Sequence, residues 1–397
     1  MSTRARSAVR VATVALAVCA VLAGSARSAS PTITITDLGT LGGTDSQATA
    51  VNDSGQVVGD SVGSDDLNHA FSWTSPGPMV DLGSLGDPGD TFATAVNGSG
   101  QVVGSSQGHA FSWTQASGMI DLGHLGGDGA YAKAVSAGGQ VVGDAVSADG
   151  TYHCFSWTSP GPMVDLGTLG DSSTCSSAAV TDSGQVVGVC LFADGTAHAF
   201  SWKLPGPMVD LGSLGGSYRT ALAANTNSQV VGESSAADGT IHAFSWTSAG
   251  GMVDLGTTGG ALVGTESSAT AVNNSGLVVG QFKVRGVFEH AFARVSPGPM
   301  VDLSTLGDSD SNATAVSDSG QVVGDSTLAD ELIAHAFSWT AAGGMVDLGS
   351  LGGDFSTALA VNNSGQVVGE STLSGDVSRH ATLWQIGPSR AVELNPG

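Results

Sequence analysis

Histidine and aspartate recur through this chain at fixed places, and they are the residue types that general acid–base chemistry uses. The histidines are His69, His109, His153, His198, His242, His290, His335 and His380. The aspartates are Asp37, Asp81, Asp121, Asp165, Asp210, Asp254, Asp302 and Asp347, with Glu393 in a degenerate ninth place. A catalytic site is needed once, whereas a structural hydrogen bond is needed in every copy of a repeat. The repetition therefore assigns these residues to bracing, as buried polar groups demand partners. One histidine, His124 in DLGHLGG, stands outside the series.

Other patterns can be weighed for chemistry. The letters G-x-S-x-G occur at Gly59–Gly63 and Gly104–Gly108. A nucleophile elbow needs a strand before it and a helix after it. Here a polar loop and a second strand follow, so neither serine reads as a nucleophile. No HExxH or CxxC occurs, and no glycine loop ends in Lys-Ser/Thr before a helix. We therefore expect no catalytic residues and no cofactor. Asp308, Asp310 and Asn312 are spaced like the first half of a calcium loop, but Ala313 and Ser319 stand where such a loop needs Gly and Glu. Calcium remains a minor expectation on that run. The stretch Phe282–Val295 gathers Lys283, Arg285 and Arg294 beside Phe282 and Phe288. A basic spot on an acidic chain suits a carboxylate or acidic sugar, and these three cations are the candidate ligand contacts. The plainer alternative is a longer hairpin in which Arg294 lies over a neighbouring ring.

The elements that must hold these residues form one repeated unit, ATAVNDSGQVVG…HAFSW…MVDLG, which occurs eight times at spacings of 40 to 48 residues. A fixed period in this range means a propeller, solenoid or array. ATAVN, QVVG, HAFSW and MVDLG read as four short strands separated by DSG and Pro-Gly turns. In the first unit the strands are expected near Ala48–Asn52, Gln56–Gly59, His69–Trp73 and Met79–Leu82. HAFSW alternates, with His69, Phe71 and Trp73 on one face and Ala70 and Ser72 on the other. The Trp series is expected to be core. The fold class is all-β: a closed β-propeller of about eight four-stranded blades, roughly 44 residues each. Seven blades and a β-solenoid are the alternatives. The segment Ile33–Asp37 matches a fourth strand without the first three. It is expected beside the closing blade near Leu383–Leu394, either replacing the weak final strand or adding to it.

The chain resembles the HAF-repeat family of extracellular repeat proteins. The resemblance rests on HAFSW, VDLGxLGG and ATAVNxSGQVVG, and covers roughly residues 33–394. It implies secretion and a propeller-like form, and it carries over no reaction and no catalytic residue. Several copies depart from the pattern: Cys154 replaces an Ala, Ser228 a turn Gly, Leu277 a Gln, Arg294 a Trp and Thr382 a Phe.

Residues 1–30 read as a secretory signal peptide: Arg4, Arg6 and Arg10 precede the apolar run Val11–Leu22 and a stretch of small residues. Residues 31–397 read as a single domain with no linker. The net charge of −23 disfavours nucleic acid and anionic lipid. Oxidising surroundings permit a disulfide, and Cys175 and Cys190 flank the Asp182–Ser183 turn symmetrically, which places them opposite in a hairpin. Cys154 is expected to stay a buried free thiol. Two functions compete on this sequence. One is a secreted, non-catalytic binding or structural repeat protein whose partner is an extracellular ligand such as an anionic glycan or protein. The other is a propeller hydrolase or lyase with one axial site. The second needs a cluster of unrepeated acids or histidines at one rim, and His124 alone does not supply it.

Overall fold

Glycine at the end of each VVG segment is dictated by a close approach. In the computed structural model a Cβ added at Gly59 would sit 1.9 Å from the Gln47 carbonyl oxygen, and the equivalent Gly324 would meet the Asn312 oxygen at 1.8 Å. The cause is a β-bulge. Pairing between the first two strands of each unit slips by one residue, between Ala48 and Ala50 in the first copy, and the slip recurs in every copy. The bulged strand drives its carbonyl toward the partner, so only a residue without a side chain fits opposite. The turn between these strands has its own requirement. Gly55 adopts φ +83°, and Asn52 Oδ1 accepts the N–H groups of Ser54 and Gln56 at 3.1 and 3.0 Å, an Asx-type turn.

The structure describes residues 31–256, 266–284, 288–307, 309–329, 333–375 and 378–387. All regular elements among them are strands, and none is a helix. In the first unit they run Gly42–Val51, Val57–Gly63, Asn68–Trp73 and Val80–Asp81, antiparallel in that order. The first strand thus begins six residues before the expected Ala48, and the fourth is only two residues long. Four sheets have four strands each; two larger sheets each consist of two such groups joined by one parallel pairing, Ala197 with Tyr218 and Ala334 with Phe355. Ile33–Asp37 pairs antiparallel with Arg379–Ile386, setting Asp37 opposite Thr382 and Ile33 opposite Ile386. It therefore occupies the fourth-strand place of the last unit. The frayed segment around Glu393 lies outside the described residues.

Ile33–Ile386 form one compact unit. Beyond its ends the Gly387 N–H donates to the Thr32 carbonyl at 2.8 Å. Packing in this compact unit sets large side chains on small ones. Phe111 lies in one cluster with Ala70, Val58 and Leu82 of the unit before it, and Phe155 with Ala110, Val103 and Leu122. Phe71 and Trp73 pack in the same way against Val368, Ala381 and Leu383, so the last unit meets the first. The alternation of HAFSW explains this: Phe faces the preceding unit and Ala the following one. The phenylalanines of the HAF position are wholly buried, at 0% exposure in Phe71, Phe111, Phe155, Phe200, Phe244, Phe292 and Phe337. The tryptophans are less uniform than expected. Trp384 is fully buried, whereas Trp113, Trp246 and Trp339 are only half-buried at the margin. The neighbouring serine is buried because it accepts a hydrogen bond from the turn glutamine, as Ser72 does from Gln56 at 2.9 Å.

Candidate functional site

Every repeated histidine meets the aspartate of its own unit's fourth strand. Nδ1 to carboxylate distances run from 2.7 Å at His198–Asp210 to 3.3 Å at His109–Asp121. The eighth pair spans the chain: His380 is bonded at 2.8 Å to Asp37, which the N-terminal strand supplies. Each aspartate also accepts the backbone N–H two residues on, as Asp81 does from Gly83 at 2.8 Å and Asp347 from Gly349 at 2.7 Å. One carboxylate thus closes a turn and ties it to the third strand. At Asp347 burial works to raise the pKa, but bonds from His335 and the Gly349 N–H outweigh it, and the net shift is downward. At His69 burial works to lower the pKa, and the carboxylates of Asp65 and Asp81 reverse this. The pairs consume the chain's most obvious acid–base equipment in bracing.

Both G-x-S-x-G serines are interior. Ser61 Oγ accepts the Leu41 N–H at 2.9 Å, and Ser106 Oγ accepts the Leu85 N–H at 3.0 Å. Each is fully buried, so neither oxygen is open to a substrate. The calcium-like run is dismantled by a strand. Asn312 lies within Ser311–Val316, paired with Asp325, and Asp310 Oδ1 accepts the Glu289 N–H at 2.8 Å. Asp308 lies outside the described residues. Among the described residues no group of three or more His, Cys, Asp or Glu is placed to hold a metal.

The basic spot comes apart. Lys283 pairs across the hairpin with Glu289, while Arg294 pairs with Val278, five residues along each strand. An odd offset puts the two cations on opposite faces, roughly 16 Å apart along the strand. The Lys283 ammonium is bonded to the Glu266 carboxylate, which holds its pKa above the usual lysine value. The cavity beside it also carries Glu233 and Glu289, so three carboxylates face one ammonium. Arg294 does not lie over a ring; its guanidinium donates to the Leu255 carbonyl. Arg285 lies outside the described residues. Among the described residues the one cation placed over a ring is Arg379, 4.7 Å from the Phe355 centroid.

Cys175 and Cys190 stand opposite each other in register and are joined by a disulfide with Cα atoms 4.0 Å apart. Cys154 is a buried free thiol in the same inter-unit cluster, filling the small-residue slot beside Phe200. Burial pushes its pKa well up.

A site that the sequence did not single out lies where the turns after the first strands converge. A cavity of about 390 Å³ is lined by residues of seven units, among them Asp53, Asp182, Asn274, Asp318 and Asn363. Its rim is a relay of hydrogen bonds between units. The Asn274 N–H donates to Asp318, the Asp318 N–H to Asn363, and the Asn363 N–H to Asp53, at 2.8 to 2.9 Å. Below it, Asn52 Nδ2 donates to the Asn97 carbonyl, Asn273 to Ser317, and Asn362 to Asn52. The only sequence signal was the polar character of the DSG turn, and turn chemistry accounted for that in full.

No protein-family model matches the sequence, and no curated protein matches it. Among solved structures the chain is similar to one from a study of two prolyl endopeptidases, with 11% identity, a TM-score of 0.55, and coverage of 83% of this chain and 55% of that one. It is also similar to dipeptidyl peptidase 4 of Porphyromonas gingivalis, at 10% identity and a TM-score of 0.55, covering 85% of this chain and 56% of that one. The chain thus spans a little over half the length of either. At such identity the likeness defines a fold, and the fold is that of a β-propeller.

Proposed function

We propose that the chain is a closed, eight-bladed propeller, secreted after loss of its N-terminal leader, that serves as a non-catalytic binding or structural scaffold of the HAF-repeat type. The observation that carries this reading is the eightfold use of the His–Asp pair as a brace. Acid–base residues spread evenly round a fold hold it together, whereas an enzyme concentrates them at one place. Ring closure is supported by the Ile33–Asp37 strand on Arg379–Ile386 and by the Asn362 to Asn52 bond, which joins the last unit to the first. The peptidase names of the similar structures do not transfer, because identities of 10% and 11% over little more than half of those chains define the fold alone. An extracellular partner, a glycan or a protein, is the ligand class we assign; nucleic acid is disfavoured by the charge.

The test uses the purified protein on a glycan array and, in parallel, with peptide, ester and glycoside substrates. Saturable binding without turnover is the expected result. Turnover that follows the protein through purification would overturn it.

A further inference from the structure

The second unit lacks a cover that its neighbours have. From the VVG glycine to the HAF histidine is five residues in this unit, Gly104 to His109, but ten in the first, Gly59 to His69. The strands Val102–Ser106 and His109–Thr114 are joined by Gln107 and Gly108 alone, with φ +52° and +82°, a tight turn of the primed kind. In two other units a residue of the longer hairpin reaches the histidine. Asp65 of the first hairpin meets His69 Nε2 at 3.0 Å, and Thr240 meets His242 Nε2 at 3.2 Å. Among the described residues His109 Nε2 has no such partner. Its side chain is 56% exposed, against 16 to 24% for the other seven.

The vacated space is a pocket of about 320 Å³ whose polar and aromatic walls are His109, His124, Asp128, Tyr131 and Gln107, the last with its amide donating to the Leu85 and Asp87 carbonyls, and glycines form most of the remainder. That volume is at the small end for ligand pockets, roughly 300–1,000 Å³, and admits a sugar ring or two. His124 replaces a hydroxyl residue. Ser213 Oγ accepts the Gly215 N–H at 3.1 Å, and His124 Nδ1 takes over the same duty, accepting the Gly126 N–H at 2.9 Å. In the neutral imidazole an accepting Nδ1 leaves the proton on Nε2. His109 is the reverse: its Nδ1 faces the Asp121 carboxylate at 3.3 Å, which in the neutral ring leaves Nε2 as the acceptor. The pocket therefore offers one imidazole donor and one imidazole acceptor. Asp128 and the Tyr131 hydroxyl make no hydrogen bond among the described residues, and Tyr131 is 40% exposed.

From this juxtaposition we propose that the pocket between the second and third units binds a neutral saccharide. The C–H face of a pyranose stacks on Tyr131, and adjacent hydroxyls bond to the two imidazoles and the Asp128 carboxylate. A hydroxyl both donates and accepts, which is what this mixed set requires. An anionic ligand is disfavoured by Asp121 and Asp128 beside the pocket, and a metal ion by the lack of a third ligand in reach among the described residues. The proposal rests on the binding reading above and gives it a place and a ligand class.

The test is saturation-transfer NMR and titration calorimetry on the purified protein with methyl glycosides of glucose, galactose, mannose and N-acetylglucosamine, and glucuronate as the anionic control. Two variants accompany it. His124→Ser installs the residue that other units already carry, and Tyr131→Ala removes an exposed ring, so the fold tolerates both. We expect a dissociation constant of about 1 mM for at least one neutral glycoside, weakened about tenfold or more in each variant at an unchanged melting temperature. No transfer from any of the four glycosides, or equal binding by both variants, overturns the pocket. Binding on the glycan array that persists in His124→Ser and Tyr131→Ala would leave the scaffold reading standing and this proposal refuted. Turnover without saturable binding would refute the scaffold reading itself.

Discussion

Replacing Asp60 with asparagine should stabilise the protein, and by an amount that depends on pH. Asp60 follows the close-packed Gly59 within a strand and is partly buried, and its carboxyl makes no hydrogen bond among the described residues. Burial, and then the nearby Glu370 carboxylate of the last unit, push its pKa from 3.8 up to about 6. A carboxyl whose folded pKa is raised favours the protonated folded state. Its contribution is fully present below about pH 4 and is lost as pH rises through 6. Two pKa units correspond to about 3 kcal/mol. For a folded unit of roughly 350 residues, with an unfolding entropy near 2 cal/mol/K per residue, that is a melting shift of about 4 °C. Asp60→Asn removes the charge while keeping the shape. Paired melts at pH 4 and pH 7.5 should show the variant level with the parent at the lower pH and about 4 °C above it at the higher. A variant no more stable at pH 7.5, or one shifted equally at both pH values, would refute the electrostatic account.

Replacing Cys175 and Cys190 together by serine should cost about 3 kcal/mol, the chain-entropy value for a closure of 15 residues, read by urea denaturation against the parent. Deleting Ile33–Asp37 should leave Arg379–Ile386 as an open edge. Size-exclusion chromatography is then expected to show more self-association than in the full chain run alongside, and a deletion protein no more associated than the full chain would contradict this. Lys283→Ala should leave binding to acidic glycans unchanged, because its ammonium is already neutralised by Glu266; a loss of binding on the array would restore the basic-spot reading.

The strand pattern, the alternation of HAFSW and the place of Ile33–Asp37 were legible because each depends on a local period. Gly59 was legible as a marker but not as a cause, since the bulge it faces is a matter of register between two strands. Register also separates Lys283 from Arg294. Their proximity in sequence was real, but an odd offset across a hairpin reverses the face, and no composition count records that. The rim of Asp53, Asp182 and Asp318 was illegible for a different reason. Its residues are 129 or more apart in sequence and are joined only by the superposition of equivalent turns. The shortened hairpin before His109 was visible as a 40-residue spacing, but its consequence, an uncovered imidazole, needs the neighbouring hairpins for comparison.

The bond between Asp37 and His380 also bears on how the chain is made. Its partners are separated by 343 residues, so this strand, made before the eight units, finds its neighbour only in the last of them. Local four-strand groups can form as they emerge, each from contacts within a few tens of residues. The opening strand has no such option: it stays single until the final unit has been translated. Contacts of this separation slow folding, because the entropy of closure comes before the reward. Until then the strand ITITD must be kept from pairing with the wrong edge, and its short length, its threonines and its terminal aspartate limit that hazard.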